Sequence, residues 1–357
     1  MKSNYDILGN HIRLIDTRNR ESITDRVLGI NIDKFFMPSV ANVIGTDLSK
    51  YKLITKGKFA CNPMHVGRDE RLPVALYDEE KPAIVSPAYF MFEVIDNSIL
   101  NEDYLMMWFR RPEFDRICWL HTDGSVRGGI TWDDICRLEL PIPPIENQLE
   151  IVNSYKTITE RIALKQKIND NLDDTAQTLY QKYFESNSDK SSWKQGTVGD
   201  VLQLQRGHDL PRTEMTGGKY PVAGSTGTIG YHDEFTAEAP VIVMGRSGNI
   251  GNPRLYLCNC WTHNTSLYVK QIYEAEPLWV FYLLKNLNYD GFVGGSAVPT
   301  LNRNDVHAYG IAIPPLELQK SFSQKVMSLI YCKEENLSEI EKLQELQKII
   351  LTTMSSR

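Results

Sequence analysis

The sequence predicts an α+β protein built from two similar domains, each followed by a long helix of coiled-coil character. Two observations predict it. Residues 124–148 and 295–319 align without a gap at a constant offset of 171, and after each Pro-Pro in that alignment about 40 residues pass without glycine or proline. The first segment reads GSVRGGITWDDICRLELPIPPIENQ and the second GSAVPTLNRNDVHAYGIAIPPLELQ. Gly-Ser opens both, Asp134 and Asp305 each precede a β-branched residue, and Ile-Pro-Pro-apolar-Glu-x-Gln closes both. Self-similarity at a fixed offset marks an internal repeat.

Weaker echoes extend the repeat toward the start of each domain. Leu8-Gly9-Asn10 resembles Val198-Gly199-Asp200, and EDYLMMWF at 102–109 resembles EPLWVFYL at 276–283. The Gly- and Pro-free stretches read as amphipathic helices. In the first, Ile151, Ile158, Leu172 and Leu179 follow a seven-residue series broken by Lys165, with Ile162, Ile168, Ala176 and Tyr183 beside it. In the second, Val326, Ile330, Leu337, Ile340, Leu343, Leu346, Ile350 and Met354 step mostly by three or four. Proline fits the start of such helices, where its missing N–H costs nothing. A helix of that length outruns either small domain, so its apolar stripe finds burial against the other helix. The expected division is a first domain at 1–144, a helix at 145–185, a polar linker at 186–192, a second domain at 193–315 and a second helix at 316–357.

Within each domain short strands alternate with turns. Residues 241–244, 266–269 and 256–258 read as strands of the second domain; 73–77, 83–86 and 89–94 read the same way in the first. Glycines at 217, 218, 224, 227 and 230 mark tight turns. A twisted sheet with helices to one side is the class that fits.

Composition bounds the function. Apolar residues at 42% and charged residues at 24% describe an ordinary globular chain. No apolar run reaches membrane-spanning length, the first residues lack a signal peptide's apolar stretch, and six scattered cysteines fit reduced thiols in a cytoplasm. Net charge is −6, with 18 Lys+Arg against 21 Asp+Glu in 1–144 and 9 against 10 in 191–315. A protein that bound DNA alone would show a basic balance, because affinity comes largely from neutralised phosphates.

Motifs of catalysis are missing. The chain has neither a phosphate-binding G-x-x-x-x-G-K-[ST] nor a G-x-S-x-G nucleophile elbow. Neither Pro-Pro has the Asn or Asp before it and aromatic after it that a DNA amino-methyltransferase uses. The seven histidines are dispersed. Gly245, Gly248 and Gly251 have the wrong spacing for a dinucleotide loop and read as a tight turn. That turn presents Arg246, Ser247 and Asn249, side chains able to meet phosphate or to fork onto base edges. Cys258, Cys260 and His263 lack the second ligand pair of a structural zinc site.

The chain resembles the specificity subunits of type I restriction-modification systems. The resemblance rests on the elements at 142–148 and 313–319, the helices behind them, the strand and turn at 241–251, Pro299-Thr300-Leu301-Asn302, and FACNPMHVGR at 59–68. It covers nearly the whole chain. It implies two target-recognition domains, each reading half of a split double-stranded DNA site, held apart by an antiparallel helix pair. It implies two methyltransferase subunits docked on the helices and motor-nuclease subunits joining for restriction. S-adenosylmethionine and ATP would belong to those partners, with no cofactor, metal or catalytic residue in this chain. One departure stands out: Gly128-Gly129-Ile130 occupies the place of Pro299-Thr300-Leu301.

Candidate DNA contacts are basic and amide residues in turn-like segments near the matching motifs. They are Lys56, Lys58, Asn62, His65, Arg68 and Arg127 in the first domain. In the second they are Arg206, His208, Arg246, Ser247, Asn249, Asn264 and Asn302. Any of them also reads as a solvated charge or a turn-stabilising amide. The competing functional reading is a duplicated scaffold that joins proteins through its helices without meeting DNA, which the acidic charge favours. A third is an enzyme with an unrecognised site.

Overall fold

In a computed structural model, residues 4–40, 44–64, 66–122, 128–289, 292–294 and 300–354 are described. The chain forms two compact units, one of residues 1–164 and 339–357, the other of residues 165–338. Both are α+β, and both long helices run from one unit into the other.

In the first unit, an antiparallel sheet runs in the order Ile12–Ile15, Phe90–Val94, Lys58–Cys61, Val74–Tyr77. Alternating side chains bring Phe59 and Phe92 onto one face, stacked at 5.0 Å, with Phe109 edge-on to Phe59. Phe109 ends the helix Glu102–Phe109, six of whose eight residues are buried. Asn101 caps that helix by accepting from the Tyr104 N–H at 3.0 Å. A second sheet orders Phe36–Pro38, Val27–Ile30, Ala83–Val85 and Lys52–Ile54.

The second unit repeats the plan. Its main antiparallel sheet orders Leu202–Arg206, Ser266–Ile272, Val241–Gly245, Gly251–Tyr256, against the apolar helix Pro277–Asn286. A three-stranded sheet of Gly227–His232, Tyr220–Gly224 and Trp261–Thr262 is added. The expected strand at 256–258 ends at Tyr256 instead. Its ladder partner begins at Val241, just after Pro240, which has no N–H to give.

Both units close in the same way. Tyr5–Ile7 pairs with Glu139–Pro141, and Lys194–Thr197 with Gly310–Ile313. Single 3-10 turns follow at Leu8–Asn10 and Val198–Asp200, with Leu8 and Val198 fully buried.

The long helices are Ile145–Tyr180, prolonged by a π-turn at Gln181–Glu185, and Leu316–Thr353. They pack on each other: in the first unit Ile162 meets Ile340 and Leu343, and in the second Phe322 meets Tyr180 and Phe184. Ile168, Leu337 and Leu346, expected in the apolar stripe, face solvent. A straight α-helix turns away from a strict seven-residue series by about 20° per heptad, which carries such positions off the seam.

Candidate nucleic-acid interface

Two arginines of the second unit converge on one turn. The strand Leu202–Arg206 ends in Arg206-Gly207 and the strand Val241–Gly245 in Gly245-Arg246. Both flank the strand Ser266–Ile272, which the turn His263-Asn264-Thr265 leads into. Arg206 Nε donates to the Asn264 carbonyl at 3.4 Å, and the Arg246 N–H to the Thr265 carbonyl at 3.0 Å. The His208 N–H donates to the Thr262 carbonyl at 2.7 Å. On its other side the Arg246 carbonyl accepts from the Leu301 N–H at 2.8 Å, and Ser247 bridges Thr300.

Glycine beside each arginine permits this closeness. A Cβ on Gly207 would stand 2.1 Å from the His263 carbonyl oxygen, and one on Gly245 would stand 1.5 Å from that of Asn249. Only a residue without a side chain fits at either place.

The structure thus gathers Arg206, His208, Arg246, Ser247, Asn249 and Asn264 around one turn, with Asn302 next to Leu301. Several of the amides serve the turns. Asn249 donates to the Ser225 carbonyl at 3.2 Å and accepts from Asn252 at 2.8 Å. Asn264 donates to Asp209, and Asn302 caps the helix Arg303–His307 through the Asn304 N–H at 3.0 Å. The arginines are differently placed. Among the described residues neither Arg206 nor Arg246 has a carboxylate in ion-pair range. Partial burial and the neighbouring Arg206 hold the Arg246 guanidinium below its usual range.

The first unit disposes of its candidates in another way. Lys56 is paired with Glu80, Lys58 with Glu93, and Arg68 with Asp69 at 2.6 Å. Asn62 accepts the Met64 N–H at 3.2 Å. His65 and Arg127 lie outside the described residues. The Pro63 carbonyl accepts from the Ile130 N–H at 3.1 Å, as that of Arg246 does from Leu301, 171 positions after Ile130. So Pro63 stands where the second unit has Arg246.

The cysteine cluster offers no ligand set. Burial pushes the Cys260 thiol up to about 12, Cys258 is exposed, and His263 Nδ1 lies 2.9 Å from the Thr265 hydroxyl. Among the described residues no group of three or more His, Cys, Asp or Glu could hold a metal ion. No helix there is long and apolar enough to cross a membrane.

Residues 190–349 match the family described as the type I restriction modification DNA specificity domain. Along its whole length the chain is similar to the putative type I restriction enzyme MjaX specificity subunit of Methanocaldococcus jannaschii. They are 22% identical over 397 residues, covering 98% of this chain and 88% of that one. The second half of the chain thus carries a type I DNA specificity domain, and the chain as a whole is similar to a type I specificity subunit. Two solved structures share the fold. The S subunit of the type I system from M. genitalium has a TM-score of 0.61 at 16% identity, covering 99% of this chain and 96% of its own. A structure described for complex assembly and conformational transition of the type I R-M system has a TM-score of 0.52 at 15% identity, covering 98% and 97%.

In this chain the paired Ile-Pro-Pro-x-Glu-x-Gln elements have a structural cause. Gln148, fully buried, accepts from the Asn101 N–H at 2.9 Å and donates to the Ile99 and Pro143 carbonyls, both at 2.8 Å. Gln319 accepts from the Glu276 N–H at 2.9 Å and donates to the Pro314 carbonyl at 2.9 Å. Each glutamine ties the start of a long helix to the start of its unit's apolar helix. Sequence reasoning saw the repeated glutamine without its partners. It also passed over Gly207, whose only signal was a glycine adjoining an arginine, and read Gly245 as part of a tight turn without the close approach that requires it.

Proposed function

We propose that this chain selects the DNA sequence on which a restriction-modification assembly acts, each domain reading one half of a split site. The matching specificity domain supports DNA recognition, and one observation of geometry carries the reading furthest. Arg206 and Arg246 lie at the ends of two strands that flank a third, near enough for their charges to interact, and among the described residues neither has a carboxylate in ion-pair range. Two like charges held together repel, and a polyanion relieves the repulsion. The acidic balance elsewhere leaves most phosphate contacts to other chains of the assembly.

Methyl transfer and cleavage belong, in this reading, to partner chains that bring S-adenosylmethionine and ATP, two methyltransferase subunits docking on the long helices and motor-nuclease subunits joining for restriction. The test replaces residues 193–312 with the matching part of a relative and maps methylated motifs in the host genome. One half of the motif changes and the other stays. Simultaneous change of both halves, or methyl transfer by the isolated chain, defeats the proposal.

A further inference from the structure

Arg206 and Arg246 are held in different ways. Arg246 is fixed by its main chain on both sides, through the Thr265 carbonyl at 3.0 Å and the Leu301 N–H at 2.8 Å, and its side chain is partly buried. The turn behind it closes so tightly that Gly245 has no room for a Cβ. Its fork therefore springs from a fixed main chain, and its partly buried side chain has less freedom to lose on engaging a target than an exposed one. A planar fork so placed matches two acceptors lying in one plane, as guanine O6 and N7 do in the major groove. Arg206 is exposed at the very end of its strand, and among the described residues its side chain makes one hydrogen bond, the long contact from its Nε to the Asn264 carbonyl. An exposed side chain of that kind follows a phosphate wherever the backbone passes, and needs only charge to do so.

We infer that Arg246 reads a guanine in the half-site recognised by the second unit, while Arg206 anchors a backbone phosphate of the same half. The inference rests on the reading that this chain recognises DNA. It adds a division of labour between two residues which that reading treats alike. Aligned with it, Pro63 at the corresponding place in the first unit supplies no fork, so the two halves are read by different chemistry.

The experiment uses the full chain assembled with its methyltransferase subunits, carrying R246A, R246K, R206A or R206K, each checked for an unchanged melting temperature. The wild-type methylated motif is mapped first. Binding is then measured against salt on duplexes bearing that motif and on duplexes with each base pair of the second unit's half replaced. R246A and R246K both lose discrimination at one G·C pair, by roughly five- to hundredfold, because lysine cannot fork. R206A weakens binding evenly across sequences and makes the slope of log affinity against log salt shallower by about one. R206K restores most of the affinity. Discrimination kept by R246K, a motif shift in the Arg206 variants, or a half-site without any G·C pair overturns the division while DNA recognition stands. If R206A combined with R246A changes neither affinity nor motif, this surface does not meet DNA and the underlying reading falls with it.

Discussion

Asn336 donates from Nδ2 to Asn169 Oδ1 at 2.9 Å, and Lys165 donates from Nζ to Asn336 Oδ1 at 2.8 Å, placing a polar cluster inside the seam of the second unit's helix pair. Asn169 and Asn336 are 5% and 8% exposed, so their amides have little access to water. A buried amide pair tolerates one register, since sliding either helix leaves polar groups facing apolar ones. Lys165, the residue that breaks the apolar series in the sequence, is part of this device.

Asn336→Leu leaves the buried Asn169 side-chain oxygen without its donor and should cost about 1–3 kcal/mol in unfolding free energy. Asn169→Leu combined with Asn336→Leu should recover much of that stability yet loosen register. Chemical denaturation reads the first effect, and sedimentation reads the mixed oligomers expected of the second. A double variant as uniform in mass as the wild type would remove the register role.

Both buried glutamines are predicted to matter, Gln148 the more because three main-chain groups depend on it against two on Gln319. Gln148→Ala strands the Asn101 N–H with the Ile99 and Pro143 carbonyls, and Gln319→Ala strands the Glu276 N–H with the Pro314 carbonyl. Each buried orphan costs about 1–3 kcal/mol. Both substitutions should therefore lower the melting temperature sharply, and a negligible shift in either would show that its bonds do not hold the helix start.

His307 gives the second unit a pH dependence. Its Nε2 accepts the Leu204 N–H at 2.8 Å, where the ladder slips register between Gln203 and Leu204. Burial and the nearby Arg303 hold its pKa below the ordinary 6.5. A base with a lowered native pKa binds protons more readily unfolded. Its contribution to stability is thus present above pH 6.5 and is lost as pH falls through the lowered native value. His307→Gln keeps an acceptor that does not titrate, so unfolding free energy should fall less steeply with acid than in the wild type. Parallel pH profiles for the two proteins would refute this.

Legibility in the sequence followed the range of the interactions. The helix Glu102–Phe109 and the helix starts after Pro144 and Pro315 are local, and short patterns announced them, while Leu8–Asn10 and Val198–Asp200 showed only their likeness to each other and not the turns they form. Arg206 lies 40 positions from Arg246, and only antiparallel pairing to a shared strand brings them together. The neutralisation of Lys56 by Glu80 and Lys58 by Glu93 likewise depends on neighbouring strands, which no spacing along the chain reveals. Counting apolar steps of three and four placed Leu337 and Leu346 in the seam because it could not see where a straight helix drifts from its partner.

Gly207 should be as sensitive as the arginine it follows. A methyl group there would collide with the His263 carbonyl at 2.1 Å and with that of Thr262 at 2.6 Å, both backbone atoms that cannot swing aside. Gly207→Ala must push the strand end carrying Arg206 away from the turn that carries Asn264. Overpacking of this sort costs about 1–3 kcal/mol. Gly310→Ala is the matched control, since a Cβ at Gly310 meets nothing within 4 Å, and it should stay within about 0.5 kcal/mol of the wild type. Placed in the assembled complex, Gly207→Ala should weaken recognition of the second unit's half-site and leave the first unit's half intact. Equal behaviour of the two alanine variants in melting and in motif mapping would show that the close approach at Gly207 does not position Arg206.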